Sequence, residues 1–517
     1  MHTTSSTSPA RRDGAALTAI CLVALMFGLE ISSVPVILPA LEEVLHADFQ
    51  DAQWIMNAYT LACTSVLMAA GTLADRYGRR RVLVASLWLF GLASLACGLA
   101  TSAPLLIAAR FAQGVGAGAM MICQFAILSQ QFREPAARSR AFAVWGVVAG
   151  IGLGFGPLVG AAIVALADWR WVFLVHAPLT LLTLGLVQAS VRESRDPAAH
   201  RLDVAGMLTL TLAVFALVCF ITLGTVQGFA SGPGLALLAA AAVGLALFIL
   251  AERRIAHPMF DFSVLRIHRF NGAMMGSMGM NFSFWPFMIY LPIYFQAALG
   301  YDVMRAGWAL LAYTLPTLLV PPVAERLALR HGAERVIPAG LGLMAAAFLL
   351  MAAGNARSSD AAVIAACLAA GIGLGLTNSP VTNTSTGAVS AARAGMASGI
   401  DFSARLITLA FNIALMGFVL VSGIARRLGE AALDATPQAL LQLAQDIAAG
   451  KLDAMAAAGG PALAQAALRQ GFGDVMLYAG LGVGALALAS RAFFRRSASS
   501  ADSVRLVPVG TDTDLCQ

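Results

Sequence analysis

The sequence predicts an all-α integral membrane protein that crosses the bilayer fourteen times. Three observations carry this. Apolar residues make up 59% of the chain and charged residues 12%, against roughly 45–50% and about 25% in soluble domains. Apolar runs of about 20 residues, the length a helix needs to span a bilayer, recur along the chain. Basic residues collect in alternate gaps between those runs, as they do in cytoplasmic loops. The same composition excludes a soluble enzyme, a nucleic-acid-binding domain and a disordered chain. The net charge of +6 therefore describes topology rather than a nucleic-acid partner.

The first run, 15–40, follows Arg11 and Arg12 in a short polar tail over 1–14. It is longer than a signal-peptide core and has no small-residue cleavage site, so it reads as an uncleaved first span. Spans two to six are expected at 52–74, 82–101, 104–128, 141–165 and 171–190. A charged linker, 191–203, precedes spans seven and eight at 204–224 and 234–252. Spans nine to thirteen follow at 270–298, 306–324, 336–354, 360–384 and 397–424. A long Ala-rich loop, 425–472, leads to the last span at 473–490 and a tail over 491–517. Within that loop Thr436–Ala448 has an amphipathic helical pattern.

An even number of spans puts both termini on one side. A cytoplasmic N-terminus places 24 of the 33 basic residues in cytoplasmic segments. Two more, Arg110 and Arg405, fall inside spans. The seven cysteines show no metal-ligand or disulfide-framework spacing and read as small packed hydrophobes.

Spans two and three are joined through GTLADRYGRRRVL, Gly71 to Leu83. Gly71 and Gly78 permit close packing and a tight turn. Asp75 is expected near a helix N-terminus, where a carboxylate is stabilised. Arg76, Arg79, Arg80 and Arg81 can pair with carboxylates on that face. A weaker echo, PPVAERLALRHGAERV at 321–336, sets Glu325 and Arg326 in the Asp-Arg places and lacks the first Gly. Two homologous halves would produce such a repetition.

Span four carries Arg110, Gln113, Gly114, Gly116 and Gly118. A charge inside a span is costly, so Arg110 is expected to face a partner or a wet cavity; a plain structural ion pair is the alternative. Span five shows two ridges, Gly146–Gly150–Gly154 and Gly152–Gly156–Gly160, along which helices can approach closely. Pro157 adds a kink.

The loop from Gly71 resembles the signature loop of the major facilitator superfamily. Arg110, Gln113 and Gly114 resemble its R-x-x-Q-G motif, whose Arg is tied to proton transfer. Gly150, Gly156, Pro157 and Gly160 form G-x-x-x-x-x-G-P-x-x-G, which resembles the antiporter motif of drug-exporting members. Trp54–Tyr59 and Trp169–Phe173, with the extra helix pair and the long last loop, are similar to the fourteen-helix drug:proton antiporter family. The resemblance implies the major facilitator fold, with six-helix bundles at 15–190 and 270–490 and two inserted helices within 191–269. It implies a conformational gate made of Gly71, Asp75, Arg76, Gly78, Arg79, Gly150, Gly156, Pro157 and Gly160. It also implies a monomer in the bacterial inner membrane with both termini cytoplasmic, driven by the proton gradient, without cofactor or metal. The chain departs from the family in LEISSVPVILP, where Glu30 stands for Asp and Pro35 for Asn, and at His176, which stands for Asn.

Glu30, near the middle of span one, is an isolated intramembrane acid. It can couple protons, contact a cationic substrate or form a fixed ion pair. Asp401, Arg405, Thr408 and Asn412 share one face of span thirteen. Asp401 and Arg405 can simply neutralise each other. The Ser-Gly-x-x-x-x-x-Arg pattern there resembles the family's corresponding helix, so Arg405 carries over more firmly than Asp401. The proton-coupling candidates are thus Glu30, Arg110, Asp401 and Arg405.

Span nine holds Asn281, Phe284, Trp285, Phe287, Tyr290 and Tyr294, and span twelve holds Asn378 and Asn383 among glycines. Such a group suits bulky amphipathic ligands. The substrate-contact candidates are Glu30, Gln113, Asn281, Trp285, Tyr290, Asn378 and Asn412. His176 can titrate near neutral pH, although a packed, hydrogen-bonded imidazole is the weightier reading. The chain reads as a proton-coupled antiporter that exports small amphipathic or toxic compounds by alternating access. The alternative is a transporter of one metabolite or natural product, in either direction. HExxH, GxSxG and clustered catalytic dyads are missing from the sequence, which argues against an enzyme.

Overall fold

The computed structural model describes residues 9–132, 134–195, 204–255, 262–389, 394–431, 436–450 and 460–505. Most of the linker expected at 191–203, part of the last loop and the outer part of both tails lie outside these residues. The described chain is helical, with α1 Pro9–Leu45, α2 Phe49–Tyr77, α3 Arg79–Gly98, α4 Ala103–Gln131, α5 Pro135–Leu166, α6 Arg170–Leu174 and α7 His176–Ser190 in the first half. A further pair follows, α8 Val204–Gln227 and α9 Gly232–Arg254. The second half holds α10 His268–Phe282, α11 Phe284–Ile293, α12 Val303–Thr314, α13 Pro316–Leu319, α14 Pro321–His331, α15 Ala333–Ala356, α16 Asp360–Gly387, α17 Ala394–Glu430, α18 Pro437–Ala448 and α19 Gly460–Arg505.

Among the described residues eleven helices are long and apolar enough to cross a membrane, or up to twelve if one bent pair counts as a span. The other two expected spans fall on α2 and on the broken line α10–α11. α2 has 29 residues and is polar at its start. The breaks sit where proline removes a helical donor and crowds the carbonyl four residues back. Pro286 stands four residues after the end of α10, and Tyr313 braces that break by stacking on Phe284 at 4.0 Å and donating to its carbonyl at 2.8 Å. After Pro292 the chain passes through a π turn, Tyr294–Ala298. The line α12–α13 meets α14 at 46°, beside Pro316, Pro321 and Pro322.

Helix ends run past the apolar windows, because backbone hydrogen bonding continues outside the lipid. α17 extends to Glu430 and α19 begins at Gly460, which shortens the loop expected at 425–472. α19 also continues to Arg505, well into the segment expected as a tail. The amphipathic stretch in that loop is α18, capped by the Thr436 hydroxyl, which accepts from the Ala439 amide at 3.3 Å. It buries Ala444, Ile447 and Ala448.

Within the first half α1 packs on α5 and α7, and α4 packs on α2 and α3. Within the second, α15 packs on α16 and α19, and α10 on α16, α17 and α19. α8 lies against both α2 and α17 and thus bridges the halves. Leu61 of α2, Val214, Val218 and Ile221 of α8, and Ala410 and Ala414 of α17 form one small core there.

The start of α1 lies beside the end of α7, where Arg12 reaches the Ser190 carbonyl, and the later part of α19 lies beside the start of α10, where Ser490 reaches the Gly272 carbonyl; this end of each half is its terminal face. Opposite it, on the far face, one core joins the halves. It contains Val34 to Leu41, Phe49 to Met56 and Trp169 to Phe173 from the first half, with α11, α15 and α17 residues from the second. Towards the terminal face the first half has its own core, including Ala16, Leu87, Met120 and Leu184. The second half has a separate one around Phe270, Met274 and Ile400. Among the described residues, the large core shared by the two halves thus lies towards the far side.

Candidate functional site

The first half is organised around a fully buried guanidinium. Arg110 of α4 is held by the helix-to-helix approach at Gly114, where an added Cβ would strike the Tyr59 carbonyl of α2. Its Nε donates to the Ile55 carbonyl at 3.0 Å. Its Nη1 forms an ion pair with Glu30 Oε1 and donates to Gln113 Oε1 at 2.6 Å. Gln113 Nε2 in turn donates to Ser94 Oγ of α3 at 2.9 Å. The Tyr59 ring lies 4.3 Å from the guanidinium carbon, close enough for a cation–π contact. Glu30 and Arg110 are both without solvent exposure, so each charge depends on the other.

His176, at the start of α7, completes this cluster. Pro178 cannot supply an amide to the Leu174 carbonyl, and the chain turns from α6 into α7 here. The imidazole Nδ1 sits 3.1 Å from the Val172 carbonyl and 3.4 Å from Glu30 Oε2, within ion-pair range. A carbonyl only accepts, so Nδ1 carries the proton in the neutral ring. Glu30 Oε2, Arg110 Nη2, His176 Nε2 and the Tyr59 hydroxyl are buried and have no hydrogen-bond partner among the described residues.

A second polar cluster lies in the other half. Arg405 of α17 pairs with Asp401 one turn earlier at 2.8 Å. It also donates to Asn378 Oδ1 at 2.8 Å and to Thr382 Oγ1 at 3.0 Å, both on α16. Asp401 Oδ1 accepts from Ser277 of α10. One carboxylate and one guanidinium thus tie α10, α16 and α17 together. Asn281 donates to the Ser277 carbonyl at 2.9 Å. Asn412 turns to α19 instead, accepting from Tyr478 at 2.7 Å and donating to the Thr408 carbonyl. The shared face of span thirteen therefore divides between two neighbours.

Three polar contacts cross the far-side seam. Gln53 Nε2 of α2 donates to the Tyr290 hydroxyl at 3.3 Å, and that hydroxyl donates to the Ile413 carbonyl of α17. Gln296 donates to the Val36 carbonyl at 3.4 Å. Thr314 of α12 donates to the Gly154 carbonyl of α5. Asn57, one turn from Gln53, is fully buried, and neither amide atom has a partner among the described residues. Trp285 is partly buried beside this seam, its ring edge-on to Phe284. Tyr290 is wholly buried, so in this conformation it closes the far side rather than lining an open chamber.

The two glycine ridges of α5 face different partners. Gly152, Gly156 and Gly160 lie against α1, where a Cβ at Gly156 would strike the Ser32 hydroxyl and one at Gly160 would come 2.9 Å from Ser33 Cβ. Gly150 and Gly154 face the second half, with Leu318 Cδ1 at 2.8 Å from a Cβ at Gly150. Gly146 has nothing within 4 Å. Pro157 sits between the ridges, its carbonyl near Gly307.

At the signature loop Gly78 has φ +115°, a region that favours glycine. It ends α2 and starts α3. Arg79 donates its amide to the Ser194 carbonyl at 3.0 Å, while Arg80 and Arg81 offer theirs to the Glu193 carboxylate. Arg76 is exposed over Tyr77. Gly71 faces Ile122 of α4. Asp75 lies in the last turn of α2, not at the helix N-terminus expected of it; its side chain is outside the described residues. The reason is that α2 continues until Gly78 turns the chain. The echo repeats the turn with one difference: Gly332, φ +86°, comes one helical turn later relative to Glu325. Glu325 Oε1 accepts from Ser379 and from Asn383 at 2.8 Å, pinning α14 to α16.

The sequence reading paired neither Glu30 with Arg110 nor Glu30 with His176. It also missed Gln53, Tyr59 as an aromatic cover, Ser277 and Thr382. Tyr59 lay within the Trp54–Tyr59 motif, and Ser277 lies one turn before Asn281. Gln53 and Thr382 carried no signal, because their partners sit on distant helices.

Comparisons with known proteins agree with this architecture. Residues 20–411 match the Major Facilitator Superfamily. The chain is 34% identical over 406 residues to the multidrug resistance protein Stp of Mycobacterium tuberculosis, covering 78% of this chain and 75% of that one. It is 31% identical over 415 residues to the methylenomycin A resistance protein of Streptomyces coelicolor, covering 80% and 87%. In fold it is similar to a bacterial homologue of the human lysosomal transporter Spinster, with TM-score 0.61, 16% identity and coverage of 96% and 98%. The chain belongs to the major facilitator superfamily and is a multi-pass membrane transporter, not an enzyme.

Proposed function

We propose that this transporter is a proton-coupled antiporter that exports small amphipathic or toxic compounds. In this reading fourteen helices cross a bacterial inner membrane, six at 15–190, two within 191–269 and six at 270–490. Both termini are cytoplasmic, the chain works as a monomer, and the proton gradient is the only energy source. The far face is then extracytoplasmic, and the sealed far seam corresponds to an inward-facing state. Alternating access opens that seam as the cytoplasmic halves close.

The observation that carries the reading is the buried Glu30–Arg110 pair. A titratable cluster with no access to water can exchange a proton only through a conformational change, which is what coupling requires. Proton entry driven by the membrane voltage contributes about 2.3 kcal/mol per charge per 100 mV. The resistance proteins matched above support outward movement of toxic compounds. The substrate contacts in this reading are Glu30, Gln113, Asn281, Trp285, Tyr290, Asn378 and Asn412, with Asp401 and Arg405 joining Glu30 and Arg110 in proton coupling. Gly71, Asp75, Arg76, Gly78 and Arg79, with the α5 glycines and Pro157, form the moving joints.

The test uses inside-out vesicles with an imposed pH gradient and ethidium among a panel of amphipathic compounds. Compound-induced dissipation of the gradient by the wild type, absent in Glu30→Gln, is expected. Compound movement that ignores the gradient in both proteins overturns antiport.

A further inference from the structure

We infer that the proton taken up by the Glu30 site rests on Nε2 of His176, with Glu30 as its counter-ion. The inference rests on the proton-coupled reading and deepens it. Three features of the buried cluster support it.

The imidazole is already oriented for this role. Its Nδ1–H is held by the Val172 carbonyl at 3.1 Å, which fixes the tautomer and leaves the Nε2 lone pair free. That nitrogen is buried and has no partner among the described residues. It is therefore an acceptor with nothing to accept, which is unusual for a buried polar atom.

The carboxylate is also shared in a suitable way. Glu30 turns Oε1 to Arg110 and Oε2 to the imidazole at 3.4 Å, while Oε2 accepts no hydrogen bond among the described residues. One anion thus stands between a permanent cation and a potential one.

The charge balance then favours the ring. Adding one proton gives the cluster the same net charge whether it lands on Glu30 or on His176. If it lands on Glu30, the fully buried Arg110 loses its counter-ion, a severe cost. If it lands on Nε2, both cations keep the carboxylate between them. Among the described residues, the other groups around the ring do not offer a competing anion. α1 presents Glu30, α2 presents Tyr59 and α4 presents Arg110. From α3 come the Phe90 ring, edge-on at 5.6 Å, and Cys97, whose thiol lies 3.7 Å from Gln113 Oε1. From α6 come the Val172 carbonyl and the Phe173 ring, which lies 5.9 Å from the guanidinium carbon. The step balances simply: an O–H bond of hydronium breaks as the Nε2–H bond forms, water leaves, no protein bond breaks, and the reverse step returns the proton.

The experiment is nitrogen-15 spectroscopy of histidine-labelled full-length protein in lipid nanodiscs, titrated from about pH 9 to about pH 5. The chain has seven histidines, and the spectrum of His176→Asn identifies the signal of His176. The neutral Nδ1–H form is expected at high pH, with Nε2 gaining a proton as pH falls. The protonated form should be lost or weakened in Glu30→Gln and return in Glu30→Asp. A ring that stays neutral throughout, or that titrates alike with and without the carboxylate, overturns the inference. Vesicle assays with ethidium supply the second arm. A displaced pH profile for His176→Asn supports the inference, and an unchanged one overturns it. Absence of proton movement in the wild type overturns the coupling reading instead, and the imidazole titration then decides the role of His176 by itself.

Discussion

The Gln53 amide of one half stands 3.3 Å from the Tyr290 hydroxyl of the other, and that hydroxyl also reaches the Ile413 carbonyl. The contact joins α2, α11 and α17 at the sealed far side. It must break when that side opens. Tyr290→Phe keeps the ring and removes the latch. A buried hydrogen bond of this kind contributes about 1 kcal/mol net, so the far-open population should rise about fivefold. Spin labels at the far ends of α2 and α17 read this as growth of a longer distance. An unchanged distance distribution would show that apolar packing alone holds the seam.

The Glu30–Arg110 pair gives a different signature. Glu30→Gln leaves a buried guanidinium without its counter-ion, which should destabilise the fold by about 3–5 kcal/mol. Replacing both partners, Glu30→Gln with Arg110→Met, should recover most of that stability, since a neutral apolar filling restores balance. Proton-coupled transport should stay lost in both variants. Unfolding midpoints in detergent and vesicle assays together separate the two effects. A double variant no more stable than the single one would mean that the pair is not the source of the cost.

Much of this was legible in the sequence. Hydropathy locates the helices because lipid demands apolar side chains over a fixed length. The cost of a charge in lipid makes Arg110, Arg405 and Glu30 stand out without any structure. The α5 spacing announces two packing faces, and both prove to be occupied, by α1 and by the second half. What remained hidden depends on which helix meets which. Glu30 and Arg110 lie 80 positions apart, and Gln53 and Tyr290 lie 237 apart. No local pattern encodes those pairings. The Ser283 break was hidden for another reason: Pro286 marks a helix weakness, but only the Tyr313 brace shows that the chain uses it.

The α1–α5 contact permits a suppressor test. A methyl group at Gly156 would collide with the Ser32 hydroxyl, which is itself held by the Gly28 and Gly152 carbonyls at 2.8 and 3.1 Å. Gly156→Ala should therefore destabilise the first half by about 1–3 kcal/mol, the usual range for overpacking. Ser32→Gly in the same chain should restore part of it by vacating the space. Gly146→Ala, with open space around it, serves as the neutral control. Equal unfolding midpoints for the Gly156 and Gly146 variants would mean that α5 shifts without cost.

Arg405 offers the sharpest test of the second cluster. Its planar fork spans Asp401 on its own helix and both Asn378 and Thr382 on α16. A lysine can keep the charge and one of these contacts, but a single ammonium cannot reproduce the fork. Two lost hydrogen bonds at about 1 kcal/mol each would weaken the α16–α17 joint near the terminal face. If that joint moves as a rigid unit during transport, Arg405→Lys should slow turnover more than it weakens substrate binding. Asp401→Asn should do more damage, because it removes the carboxylate that pairs with Arg405 and accepts from Ser277 of α10. Transport rates and equilibrium binding of ethidium, measured on the same preparations, separate the two. Lysine at wild-type rates would show that only the charge at this position matters, and that the fork is incidental.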